Sequence, residues 1–301
     1  MDELSRFRGC LLGLAVGDAL GTTAEFRPRG SFPEIEDMVG GGPFGLEPGQ
    51  WTDDTSMALC LATSLLERGG FDAADQMDRY LRWYEEGYLS STGTCFDIGN
   101  TVRGALLRYK ETGEPFSGST DPRSAGIGSL MRLAPVPMFY FPDRERAAKM
   151  SAESSRTTHG AAEYLDGCRL FGHMLCTALA GADRKQILLG ADPELVESPS
   201  IQAIARGEYR EKSRDQIRGS GYVVESLEAA LWCFSQSESF EQAVLAAANL
   251  GDDADTTAAV CGQIAGAYYG AEAIPPRWLK RLSMRELTAE LADKLFDATK
   301  A

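Results

Sequence analysis

Histidine is almost missing from this 301-residue chain, which has two, His159 and His173. The seven cysteines, at 10, 60, 95, 168, 176, 233 and 261, include no C-x-x-C pair. Residues so few and so scattered exclude a histidine-rich zinc constellation. An odd number of thiols, mostly in apolar segments, predicts buried free thiols in a reducing compartment. Neither G-x-S-x-G nor G-x-x-x-x-G-K-[ST] occurs, so serine-hydrolase and P-loop readings lack support. No run of about 20 apolar residues is present, and no membrane-spanning helix is expected. The opening MDELSRFRG sets acidic residues ahead of a short, glycine-broken apolar stretch. That is unlike a signal peptide, and the expected location is the cytoplasm. Basic residues are also in deficit: 30 Lys and Arg face 44 Asp and Glu, a net charge of −14, with an isoelectric point near 4.7. An acidic surface repels nucleic acid and anionic membranes, so neither is an expected partner. An anionic ligand would need a local positive site, such as metal ions or helix N-termini.

What is abundant is helical periodicity. The length allows one large domain or two modest ones, and 44% hydrophobic residues can fill a substantial core. Apolar side chains recur at helical spacing over 5–20, 54–68, 72–86, 98–110, 144–154, 160–181, 222–236, 240–249 and 256–270. Asp53 or Asp54 is placed to cap the helix after Trp51, and Ser239 the one at 240. Alternating strand patterns joined by tight turns are missing. The expectation is an all-α fold, a single domain over 1–301, since no clean linker divides it. The polar stretch 183–220 reads as an excursion with weak helices. Many of the 32 glycines gather in loops at 39–49, 112–128 and 219–221, where long connections often carry function.

Two acidic clusters stand where a loop meets an apolar helix. One is Trp51-Thr52-Asp53-Asp54-Thr55; the other is Gly251-Asp252-Asp253-Ala254-Asp255-Thr256-Thr257. Each offers carboxylates and a hydroxyl within one turn, the oxygen ligands that Mg²⁺ or Mn²⁺ prefers. Facing each other, they can hold two ions roughly 3.5–4 Å apart. The plainer reading is helix capping, but a cap needs one carboxylate, and three Asp in four residues repel unless a cation offsets them. Asp18, within an otherwise apolar helix, is costly unless hydrogen-bonded, and can equally tie down backbone N–H groups. Glu25 follows the end of that helix.

G-D-A-L-G-x-x-x-E-F from Gly17, then T-D-D-T from Thr52, then G-D-D-A-D-T-T-A-A from Gly251, in that order, resembles the ADP-ribosylglycohydrolase family, which includes the dinitrogenase-reductase-activating glycohydrolases. The likeness runs from Gly9 to about Trp278, in a closing I-P-P-R-W. It implies a compact, orthogonal all-α bundle around a binuclear Mg²⁺ or Mn²⁺ site. The implied ligands are Thr52, Asp53, Asp54, Asp253, Asp255 and Thr256, with Asp252 behind them or capping. The implied activity is hydrolysis of the glycosidic bond between ADP-ribose and its acceptor, with mono-ADP-ribosyl-arginine on protein preferred. Glu25 resembles a mobile glutamate that contacts the ribose. Asp97, in F-D-I-G-N-T, resembles the acid of members acting on ADP-ribosylated arginine, and is assigned general acid/base chemistry with Glu25, Asp54 and Asp253. A cap of the helix at 98–110 competes for Asp97. Gly126, Gly128 and Ser129 resemble a diphosphate-binding stretch, with Ile127 where the family has Asn. His159 resembles the second residue of a T-H pair near the ligand, whereas His173 reads as core. Tyr222 resembles an aromatic that stacks on adenine, against an equal reading as core. The alternatives are hydrolysis of serine-linked or O-acetyl-ADP-ribose, or of an ADP-ribosylated small molecule, an ADP-ribose-binding or structural protein without turnover, and a two-metal phosphohydrolase.

Overall fold

A computed structural model describes residues 2–122, 124 and 126–300; Ala125 of the glycine-rich stretch lies outside them. The described residues form helices and connections, with no strand beyond two isolated bridges. In chain order these are α1 (Glu3–Gly21), α2 (Asp53–Arg68), α3 (Ala73–Glu86), α4 (Asn100–Thr112), α5 (Pro135–Phe139), α6 (Arg144–Arg156) and α7 (Ala162–Leu179). Then follow α8 (Arg184–Leu189), α9 (Pro199–Ala205), α10 (Val223–Gln236), α11 (Phe240–Ala248), α12 (Ala254–Tyr269), α13 (Pro276–Arg281) and α14 (Arg285–Ala298). The expected all-α class holds, and the 183–220 excursion contains the short α8 and α9.

The centre is the pair α1 and α12. Both are apolar nearly all round, which places them inside the bundle. They lie antiparallel and almost backbone to backbone, because α1 carries glycine at every fourth position: 9, 13, 17 and 21. A Cβ at Gly9 would sit 2.2 Å from the Gly266 carbonyl oxygen; at Gly13, 2.3 Å from that of Gly262. At Gly17 and Gly21 it would meet the carbonyl oxygens of Ala258 at 2.1 Å and Ala254 at 2.3 Å. No side chain fits such gaps, so hydrogen at these four positions fixes the distance between the helices. The end of α1, with Asp18 and Glu25, is thereby set beside the start of α12, with Asp253 to Thr256.

Around this pair the other helices bury amphipathic faces. Helix α14, not anticipated from periodicity, buries Thr288, Leu291, Ala292 and Leu295, the i, i+3, i+4, i+7 spacing of one helical face. It packs Phe296 edge-on against Phe7 of α1 at 5.2 Å between centroids. Ser239 caps α11 as expected, accepting from the Gln242 N–H at 3.1 Å. All seven cysteines are free, and all but Cys95 are buried. No described helix is long and apolar enough to cross a membrane.

Candidate active site

The first turn of α2 needs its N–H groups satisfied. That work is done from another helix. Asp18 of α1 accepts at Oδ1 from the Thr52 N–H (2.8 Å) and hydroxyl (2.9 Å), and at Oδ2 from the Thr55 N–H (3.0 Å) and hydroxyl (2.6 Å). The cap readings of Asp53 and Asp54 are therefore wrong: the N-cap position is Thr52, its side chain makes no cap bond, and a carboxylate distant in sequence takes the role. Freed from capping, Asp53 and Asp54 are available to the neighbouring α12. Asp97 is not a cap either. Helix α4 begins at Asn100 with Gly99 at its N-cap, which leaves Asp97 in the preceding loop with φ of +58°. Asp252 likewise does not cap α12; Asp253 is the N-cap position, and the Asp252 side chain is exposed.

The two clusters predicted from sequence meet. The Thr52 hydroxyl lies 3.3 Å from Asp255 Oδ2, and the Thr256 hydroxyl 3.5 Å from Asp54 Oδ1. Glu25, Asp97 and Asp255 each place a carboxylate oxygen within 4.8 Å of the others. A backbone ladder holds the Glu25 loop against the start of α12: the Phe26 N–H donates to the Asp252 carbonyl at 2.7 Å, and the Asp252 N–H to the Arg27 carbonyl at 2.8 Å. Phe26 and Asp252 both adopt the left-handed backbone, with φ of +60° and +55°. With Asp97, three strained non-glycine residues surround one place, the pattern expected where surrounding structure holds a functional geometry.

Here a cleft of about 320 Å³ opens. One end is lined by Glu25, Phe26, Asp53, Asp97, Asp253, Asp255 and Thr256. The other is lined by Gly126, Ile127, Gly128, Met131 and His159, with Gly99 to Val102 at the start of α4 and Gly221 completing the wall. Thr52 and Asp54 stand behind the acidic end. Ser129 and Tyr222 lie just outside the wall. Ser129 is buried and accepts from the Cys168 thiol at 3.4 Å, and the Tyr222 hydroxyl donates to Glu163 at 2.5 Å. His173 is half-buried on α7, away from the cleft.

The acidic end is electrostatically crowded. Burial, and then the charges of Asp97, Asp18 and Asp253, push Asp53 well above the usual carboxylate range. Asp54 and Asp255 are raised well above it by burial and by neighbouring carboxylates. Burial also raises Asp253. Glu25 rises to about 11 through burial and then the facing Asp97, and Asp97 to about 7 through burial, with a hydrogen bond from Glu25 opposing the rise. No basic side chain figures among the principal causes. Asp54 Oδ2 and Asp255 Oδ1 are buried with no hydrogen-bond partner. Orphaned carboxylate oxygens, two hydroxyls and repelling charges in one spot form a donor set that fits hard divalent cations.

Sequence reasoning passed over several contributors. Phe26 is 67% exposed at the cleft mouth, and Phe44 and Phe96 follow it at centroid distances of 6.5 Å and then 5.3 Å. Its signal was adjacency to Glu25. Arg132, fully buried beside Thr158 and His159, carried no signal in a run of apolar neighbours.

Known proteins bear on this geometry. The family model for ADP-ribosylglycohydrolase matches residues 1–301. The chain is 48% identical over 294 residues to the ADP-ribosylarginine hydrolase Tri1 of Pseudomonas putida (strain GB-1), covering 98% of this chain and 78% of that protein. It is 32% identical to the ADP-ribosyl-[dinitrogen reductase] glycohydrolase of Rhodospirillum rubrum, covering 93% and 91% of the two. A solved structure described as an ADP-ribosylglycohydrolase-related protein complex superposes with a TM-score of 0.87 at 45% identity, covering 99% of each chain.

Proposed function

This chain belongs to the ADP-ribosylglycohydrolase family, and from that premise we propose that it hydrolyses the bond joining ADP-ribose to an arginine side chain on a protein. The whole of 1–301 acts as one catalytic domain. The observation that carries the reading is the convergence of the 52–54 and 253–256 segments with Glu25 and Asp97 in one cleft. Relatives 46% and 48% identical, both named ADP-ribosylarginine hydrolase, support the acceptor.

Thr52, Asp53, Asp54, Asp253, Asp255 and Thr256 would hold two divalent cations, Mg²⁺ or Mn²⁺. Bound there, such ions neutralise the carboxylates, orient ribose hydroxyls and make water more acidic. The protein's own groups do the rest. Gly126, Gly128 and His159 receive the diphosphate end. Asp97 faces the scissile bond and gives a proton to the departing guanidine nitrogen. Water adds to the anomeric carbon as the carbon–nitrogen bond breaks, and its proton passes to a carboxylate, leaving ADP-ribose and free arginine. Glu25, on its strained loop, gates the ribose and serves as the second proton-transfer group. Asp54 and Asp253 hold the reacting geometry from behind and beside the cleft. At the mouth, the carboxyl oxygens of Glu25 and Asp97, as hydrogen-bond acceptors, and the exposed ring of Phe26 suit the guanidinium of a modified arginine.

The test is incubation with arginine-, serine- and acetyl-linked ADP-ribose, with and without Mg²⁺ or Mn²⁺. Metal-dependent release of ADP-ribose from the arginine conjugate is expected. Tight binding without turnover, or phosphate release from simple esters with no ADP-ribose product, would overturn the reading.

A further inference from the structure

Arg132 is a fully buried guanidinium that forms no ion pair among the described residues. It stacks on the Tyr80 ring at 4.6 Å, and Nη1 approaches Met57 Sδ at 3.8 Å. Its one short polar contact is Nη2 to Thr158 Oγ1, at 2.7 Å. Thr158 Oγ1 in turn lies 2.8 Å from His159 Nδ1. A buried charge without a counter-ion is costly, and a retained one calls for an explanation.

Counting protons along this chain settles the direction of each bond. Arginine can only donate, so Thr158 Oγ1 accepts from it. The Thr158 hydroxyl has one hydrogen, and the acceptor within reach is His159 Nδ1. The opposite assignment, with Nδ1–H donating to Thr158, would bury that hydroxyl hydrogen with no acceptor. Nδ1 is therefore bare, and the ring proton sits on Nε2. Nε2 is buried and has no hydrogen-bond partner among the described residues. It borders the cleft beside the glycines: a Cβ at Gly126 would lie 3.1 Å from it, and one at Gly128 would lie 3.5 Å away. Glycine at both positions keeps side-chain bulk away from that N–H. Burial and the Arg132 charge hold the imidazole down to about 3, so it stays neutral across ordinary pH.

We infer that Arg132 and Thr158 are positioning residues, which lock His159 in its Nε2–H form and aim that donor at an anionic phosphate oxygen of the ligand. The same relay sets the polarity of the cleft. Polarised by a buried cation, one end offers a fixed donor; the other is dominated by carboxylates. The ligand can lie one way, with its diphosphate at His159 and its ribose toward Asp97. Which anion binds rests on the function proposed above; the proton placement does not.

With only two histidines in the chain, labelling the intact protein with ¹⁵N-histidine yields two ring systems to resolve. Wild type should show His159 protonated at Nε2, with Nδ1 bare and hydrogen-bonded. Thr158→Val should move the Nδ1 resonance toward that of an unbonded imine nitrogen, and Thr158→Ser should restore it. ADP-ribose affinity should fall about tenfold in Thr158→Val and Arg132→Met and recover in Thr158→Ser. If Arg132→Met does not fold, the two Thr158 variants decide. A proton on Nδ1 in wild type, ADP-ribose bound by folded Thr158→Val as tightly as by wild type, or equal losses in the Val and Ser variants would each overturn the relay. A wild type that neither binds ADP-ribose nor releases it from the arginine conjugate would overturn the proposed function instead, while the proton placement is still read directly.

Discussion

The two ends of the cleft are built on opposite plans. At one, carboxylates from α1, α2, α12 and two loops crowd together, with oxygens lacking partners and no basic side chain among the described residues that line it. At the other, glycines clear space, and a buried guanidinium acts through Thr158 and His159. One end gathers negative charge and the other is backed by a positive one. A ligand that brings an anionic diphosphate, together with divalent cations, meets both needs. A pocket can thus be read from which charges the protein leaves uncompensated.

Substitutions that affect one end only would test this contrast. The largest effect should come from Asp253→Ala, which removes a carboxylate of the crowded end. Turnover is expected to fall more than about 100-fold, with helical content by circular dichroism unchanged. Full activity in that variant would remove the cation assignment. At the other end, His159→Ala should weaken ADP-ribose binding by about tenfold in calorimetry, one lost charge-assisted bond, while divalent-ion affinity stays as in wild type. Loss of ion affinity there would dissolve the distinction between the ends. Phe26→Ala should raise KM for an ADP-ribosyl-arginine protein by about three- to tenfold and leave free ADP-ribose binding unaltered.

The smallest effect concerns pH. Asp97 has a folded-state pKa of about 7, above its unfolded value of 3.8, so the native state binds more protons between these values. Stability of the ion-free protein should therefore fall as pH rises from about 4 to about 7, and Mg²⁺ should offset the fall, as read by melting temperature with and without EDTA. Melting that improves over that window without ions would contradict the crowding of the acidic end.

Much of the architecture was readable from periodicity. Except for α14, the long helices were placed within a few residues, and the two acidic segments were expected to converge, which they do. Side-chain partners were harder to read. Capping competed with a functional reading for Asp53, Asp54 and Asp97 because caps were judged from sequence neighbours, whereas the cap of α2 arrives from Asp18 on another helix. Asp18 was expected to need hydrogen bonds and to be able to tie down backbone N–H groups; its four hydrogen bonds, two of them from N–H groups, meet that expectation. Asp252 acts through its peptide group, which a reading of side chains does not register. The fold sets Ser129 and Tyr222 one layer back, a matter of helix rotation that periodicity leaves free. Arg132 was hidden because its surroundings read as plain core.

The glycine stripe of α1 has a consequence for how this molecule can vary. One half of the acidic end sits on α12, and the other, at the start of α2, is held by Asp18 of α1, so both hang on two rods that touch through bare peptide groups. Helices that carry none of these groups, such as α14, can therefore vary without disturbing the alignment. A single methyl added at Gly17, 2.1 Å from the Ala258 oxygen, would pry the mounts apart and spoil the chemistry in a molecule whose reacting groups were all still present.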